Sequence, residues 1–151
     1  MDHRRVAPTL GIVACLLAVL AVLAPYVAVS EREAGVVGQY YGVGLVAPLA
    51  IGILALVGVI AFAAGLKERS DPSLVAGLMV AVGLVSLLAA LQWALAVPAR
   101  VGQSASTADF LDLHRWSIPA VAALIAGNAV WYARALGLVG GDAGAGRDRT
   151  R

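Results

Sequence analysis

Residues 73–97 read SLVAGLMVAVGLVSLLAALQWALAV, a run with no charged side chain anywhere in it. A helix rises about 1.5 Å per residue, so about 20 residues cross the ~30 Å hydrocarbon core of a bilayer. The run is long enough to span, and Asp71-Pro72 just ahead of it reads as an N-cap followed by the first helical residue. A transmembrane strand would need only about 10 residues of alternating polarity, a pattern missing here. Lipid offers no partner to an open backbone N–H or C=O, which leaves a helix.

Three other runs share this character, at 6–29, 42–66 and 116–138. In the last of them Arg134 interrupts the apolar sequence, but an arginine near a helix end can snorkel to the interface and the span survives. The expectation is an all-α membrane protein, a four-transmembrane-helix bundle occupying residues 1–139. Arg4-Arg5 ahead of an apolar run also suits a signal peptide. The length of the run and the lack of a clean small-x-small site favour a retained helix. Ile12-Val13-Ala14-Cys15 has the look of a lipoprotein cleavage box, yet the apolar stretch before it is too short for a signal core and continues well past it. Cys15 is read as a small buried side chain.

Composition agrees. The chain has 151 residues, 61% of them hydrophobic and 13% charged, against about 25% charged in soluble domains. Its formal charge of +2 is too small, and its cations too scattered, to argue for nucleic acid. One cysteine rules out an internal disulfide.

Orientation follows from the basic residues of the short connections. One face of the membrane receives eight, Arg4, Arg5, Lys67, Arg69, Arg134, Arg147, Arg149 and Arg151, and the other three, Arg32, Arg100 and Arg115. This predicts N-in/C-in, a multi-pass protein with both termini cytoplasmic. Tyr26, Tyr40, Tyr41, Trp93 and Trp116 then fall near the outer boundary and Trp131 and Tyr132 near the inner one, where they are read as interfacial anchors.

Lys67-Glu68-Arg69-Ser70-Asp71 is so short that the spans it joins must be antiparallel neighbours. Small residues mark faces where helix backbones can approach in lipid: Ala14, Ala18, Ala21, Pro25 and Ala28 in the first span; Ala76, Gly83, Ser86, Ala90 and Ala94 in the third; Ala122, Ala126, Ala129 and Ala133 in the fourth. The second carries Gly44, Gly52, Gly58, Gly65 and Pro48 and is the one expected to bend. Pro119 is placed in the first turn of the fourth span. Ser106-x-x-Asp109 reads as a capping box for a short amphipathic helix over 106–115 lying on the outer membrane surface, with Phe110, Leu113 and Trp116 towards lipid. Residues 140–151, rich in Gly and Arg, should form a disordered cytoplasmic tail.

Chemistry is sparse. The four cores, as bounded above, contain no Asp, Glu, Lys or His, which disfavours coupled transport. No intramembrane haem ligand, thiol pair, phosphate loop or zinc motif is visible, and no cofactor is expected. Asp109, Asp112 and His114 in the outer loop are candidates for a metal or acid–base site only if they converge on one point. Asn128 is the deepest polar side chain, and a hydrogen bond to another helix is its expected role.

The segments 4–9 (RRVAPT), 40–45 (YYGVGL), 71–74 (DPSL), 113–116 (LHRW) and 130–136 (VWYARAL) together resemble those of uncharacterised four-helix membrane proteins of haloarchaea. The resemblance covers most of residues 4–138 and implies a plasma-membrane setting with no assigned reaction. Three functions follow as expectations. The first is a non-enzymatic packing or accessory subunit whose partners are the lipid bilayer and either further copies of itself or a larger membrane protein. The alternative is a passive pore or carrier for an uncharged or weakly polar solute, lined by the second span and Asn128. The third is an outer-surface enzyme built on Asp109, Asp112 and His114.

Overall fold

The computed structural model describes residues 3–67, 69–98 and 108–139, all helix, turn or loop with no strand among them. Four helices are long and apolar enough to cross a membrane: α1 (His3–Ala28), α3 (Pro48–Leu66), α4 (Pro72–Ala96) and α5 (Ala108–Ala135). Between the first two lie a 3-10 turn at Glu31–Glu33 and the short α2 (Ala34–Tyr41). The tail expected over 140–151 and the proposed cap at Ser106 lie outside the described residues.

The long helices form a ring in which α1 packs along α3 and α5, and α4 packs along the same two. Their directions alternate, as the composition of the two buried clusters proves. One cluster joins Ala7 from the start of α1, Phe62 from the end of α3, Val75 from the start of α4 and Tyr132 from the end of α5. The other joins Val22, Ile51, Trp93 and Ile118, each from the opposite end of its helix. We call the end holding Ala7 and Tyr132 the proximal end and the end holding Trp93 the distal end.

Close backbone approach holds the ring together, and the small residues supply it. Ala76, Gly83, Ser86, Ala90 and Ala94 of α4 are all buried, as are Ala122, Ala126, Ala129 and Ala133 of α5. A Cβ added at Gly83 would sit 2.7 Å from the Ala126 Cα, so these two backbones touch and nothing larger fits. Gly58 of α3 makes room instead for the side chain of Cys15, whose Sγ would lie 2.8 Å from an added Cβ. In α1, Ala14, Ala18 and Pro25 are buried, Ala21 is half-buried and Ala28 is exposed. The glycines of α3 thus serve packing and do not break the helix, which runs unbroken from Pro48 to Leu66.

Three departures from the sequence expectation share one cause, polar groups of the side chains or backbone that find partners only in the assembled bundle. Helix α3 begins at Pro48 and not at residue 42, because Gly44 takes the left-handed φ of 84° that favours glycine and Pro48 starts the helix. The open turn over 42–47 is tolerated because Gln92 of α4 holds it. The Leu45 N–H donates to Gln92 Oε1 at 3.0 Å, and Gln92 Nε2 donates to the Val46 carbonyl at 3.0 Å. Helix α5 begins at Ala108, so Pro119 lies inside the helix and not in its first turn. From residue 108 on, the segment expected on the membrane surface is instead the opening of α5 itself, with Leu111 and His114 buried in the bundle while Leu113 and Trp116 remain exposed. His114 therefore belongs to a long helix and not to an outer loop. The Asp71 cap forms as read from sequence, its carboxylate accepting the Ser73 N–H at 2.8 Å.

Candidate functional site

Pro25 organises the distal end. It lies inside α1 and has no N–H, so the carbonyl of Ala21 four residues earlier loses its helical partner. A bare carbonyl inside a membrane bundle is costly, and the fold answers with His114 of α5, whose Nε2 stands 2.7 Å from Ala21 O. One residue on, the Val22 carbonyl accepts the Tyr41 hydroxyl at 2.6 Å. The proline thus recruits a side chain from α5, and the neighbouring carbonyl takes one from α2.

Tyr40 closes the arrangement. Its Oη lies 3.0 Å from His114 Nδ1 and 3.0 Å from the Leu111 carbonyl. Because the Ala21 carbonyl can only accept, Nε2 must carry a proton, and in the neutral ring Nδ1 is the acceptor for the Tyr40 hydroxyl. Were the ring to hold a second proton, Nδ1 would donate to Tyr40 and the hydroxyl would turn to Leu111 O. The knot is fully bonded in either state. Trp93 of α4 completes it, its Nε1 donating to the Tyr40 carbonyl at 3.3 Å and its ring standing edge-on to Tyr40 with centroids 5.1 Å apart. Burial pushes the Tyr40 and Tyr41 phenols well above the ordinary phenol range.

This corrects the reading of the aromatic residues. Tyr40, Tyr41, Trp93 and Tyr132 are core, each under 5% exposed, and not interfacial anchors. Tyr26 and Trp116, at 51% and 46%, do have the exposure an anchor needs. For Tyr40 and Tyr41 the physical reason is α2, which folds back over the bundle mouth and carries its two tyrosines inward.

The other candidates are placed apart. Asp109 and Asp112 are exposed on α5, whereas His114 is buried on a different side of the same helix. Asp112 stands 3.4 Å from Arg115 Nε, an ion pair without hydrogen-bond geometry, and the Arg115 guanidinium covers the Trp116 ring at 5.4 Å. Among the described residues no three His, Cys, Asp or Glu side chains gather closely enough to hold a metal ion. Both nitrogens of His114 are already engaged by protein groups, so the ring offers no lone pair to an outside ligand. Asn128 does not bridge helices: its Nδ2 donates to the Leu124 carbonyl of its own helix at 3.0 Å. It sits on the half-exposed flank of α5, away from the buried line through Ala122, Ala126 and Ala129.

Sequence reasoning missed the knot, although one signal was present. A proline deep in a membrane helix predicts a stranded carbonyl four residues earlier, and hence a donor elsewhere in the chain.

The fold and its self-satisfied polar centre define a multi-pass, four-helix membrane protein whose ring is cross-linked at one end by histidine and tyrosine. The chain belongs to a family of unknown function, DUF7548, which matches residues 1–137 and so takes in all four long helices. No curated protein and no solved structure matches it.

Proposed function

We propose that the protein is a non-catalytic packing or accessory subunit of the plasma membrane, acting through its helix faces on further copies of itself or on a larger membrane protein. The observation that carries this reading is where the polar groups go: His114, Tyr40, Tyr41 and Gln92 all spend their hydrogen bonds on backbone carbonyls or N–H groups of this chain and its own aromatic residues. Among the described residues, these four side chains are turned to the protein itself. The axis is filled as well, by Phe62 and Met79 towards the proximal end and by Tyr40 and Trp93 at the distal end, all fully buried. A filled axis weighs against a passive pore, and the lateral position of Asn128 removes the polar lining such a pore would use.

The excess of Lys and Arg at the proximal end, Arg5, Lys67, Arg69 and Arg134 against Arg32 and Arg115 at the distal end, supports a cytoplasmic proximal end and so cytoplasmic termini. Resemblance to haloarchaeal membrane proteins supports the plasma membrane as the site. Crosslinking and native mass spectrometry in mild detergent test the function: a defined oligomer or a co-purifying membrane protein is the expected result. Solute flux into liposomes that far exceeds protein-free controls would replace this reading with the pore. Single cysteines at Ser30 or Gln103 should react with an impermeant thiol reagent on intact cells and one at Ser70 should not; labelling at Ser70 would reverse the orientation.

A further inference from the structure

At the proximal end, a groove of about 290 Å³ runs along the outside of α3, floored by Val59, Ile60, Ala63 and Ala64 and closed at its head by Lys67 and Arg69. We propose that this groove is a binding site for one anionic phospholipid, with an acyl chain lying on the apolar floor and the phosphate held by the two cations.

Four observations carry it. The floor faces outward, with Ile60 71% exposed, so in a membrane protein hydrocarbon already lies against it. Ala63 and Ala64 are small and leave a trough where larger side chains would fill the surface. Lys67 and Arg69 are both exposed and make no ion pair with a described residue; Glu68, between them, lies outside the described residues. Finally, neither cation is needed to close the helix. The Ala63 and Ala64 carbonyls at the end of α3 already accept the backbone N–H groups of Lys67 and Arg69, at 3.1 and 3.0 Å. The nearby Asp71 carboxylate caps α4 through the Ser73 N–H and forms no ion pair with either cation. Two exposed positive charges at the head of an apolar trough match the layout of a phospholipid, one anionic head above a hydrocarbon chain, and a free phosphate would leave the trough unused.

The test uses the full chain reconstituted with phosphatidylcholine, with or without phosphatidylglycerol, and reads lipid retained after extraction by native mass spectrometry together with apparent affinity. Wild type should retain one phosphatidylglycerol in preference to phosphatidylcholine. A basic residue at a charged membrane surface contributes about fivefold in binding, so Lys67→Gln with Arg69→Gln should weaken retention about thirtyfold. Lys67→Arg should keep it. Ala64→Leu, which fills the trough without touching charge, should also lower retention, and circular dichroism confirms that each variant remains helical. Unchanged affinity in either the charge variant or Ala64→Leu overturns the site. So does an equal loss in Arg134→Gln, which would mean that phosphatidylglycerol responds only to total charge.

Discussion

Replacing His114 by phenylalanine keeps a ring of similar size at the distal end but removes the donor that faces Ala21 O at 2.7 Å. Pro25 cannot supply a substitute from within α1, so the carbonyl is stranded among buried groups, at a cost of ~1–3 kcal/mol. Tyr40 loses Nδ1 but still has the Leu111 carbonyl at 3.0 Å, so its hydroxyl keeps an acceptor and the added loss is close to the ~0.6 kcal/mol average for interhelical bonds in a bilayer. The expected total is ~2–3 kcal/mol. The cause can be separated from simple repacking by a double-mutant cycle with Pro25→Ala, which restores an N–H at position 25 and lets Ala21 O bond within its own helix. In that background His114→Phe should cost only ~1 kcal/mol, leaving a coupling of ~1–2 kcal/mol. Reversible unfolding in mixed micelles with increasing dodecyl sulfate, followed by helical circular dichroism, measures all four corners. If the two substitutions add to within ~0.5 kcal/mol, the proline does not recruit the histidine and the account of the knot is wrong.

Gly83→Leu should destabilise by more than ~3 kcal/mol in the same assay, because its Cβ would meet the Ala126 backbone at 2.7 Å. Gly127→Ala has open space around it and should be neutral or stabilising by up to ~1 kcal/mol. Asn128→Leu should leave the protein folded with a loss of at most ~0.6 kcal/mol, since its amide bonds only within its own helix; a larger loss would reveal a bridge between helices. Tyr40 and Tyr41 should stay protonated past the ordinary phenol range of about 10 in an ultraviolet pH titration, so their contribution is complete below that value and fades only as pH climbs towards their raised folded values. The Ser73 N–H holds the Asp71 carboxyl below its usual range, so the cap stabilises α4 above about pH 4 and weakens as pH falls through the depressed folded value. Asp71→Asn should abolish that acid dependence, and a stability curve with the same acid limb would refute the assignment.

Reading the candidate site from sequence alone failed for a definite reason. Tyr40, Tyr41 and Trp93 look like interfacial anchors because their position along the chain is interfacial, and sequence gives depth but not the direction in which α2 folds back. His114 looks solvated because Asp112 and Arg115 flank it, yet one step around the helix from those charges lies a buried face. Asp109, Asp112 and His114 share a segment without sharing a side, which spacing at three and five residues already hinted. Asn128 falls within α5, one of the four helices long and apolar enough to cross a membrane, but its partner, the Leu124 carbonyl, is local and leaves no mark in the pattern.

Length, apolarity and charge by themselves determined that four helices cross a membrane and that small residues line their contacts, because both follow from the bilayer's thickness and from its inability to bond an open backbone. The Asp71 cap and the faces of α4 and α5 were legible for the same reason: each depends on neighbours within a few residues. Only the tertiary structure decided that α3 starts at Pro48, that α5 extends back to Ala108, and that Pro25, His114 and Tyr40 form one unit. Those features rest on bonds between residues 46 to 93 positions apart, made by Gln92 to the turn before α3 and by His114 to the carbonyl that Pro25 leaves open. A polar group in lipid must find a partner, but which partner is settled only when the helices meet.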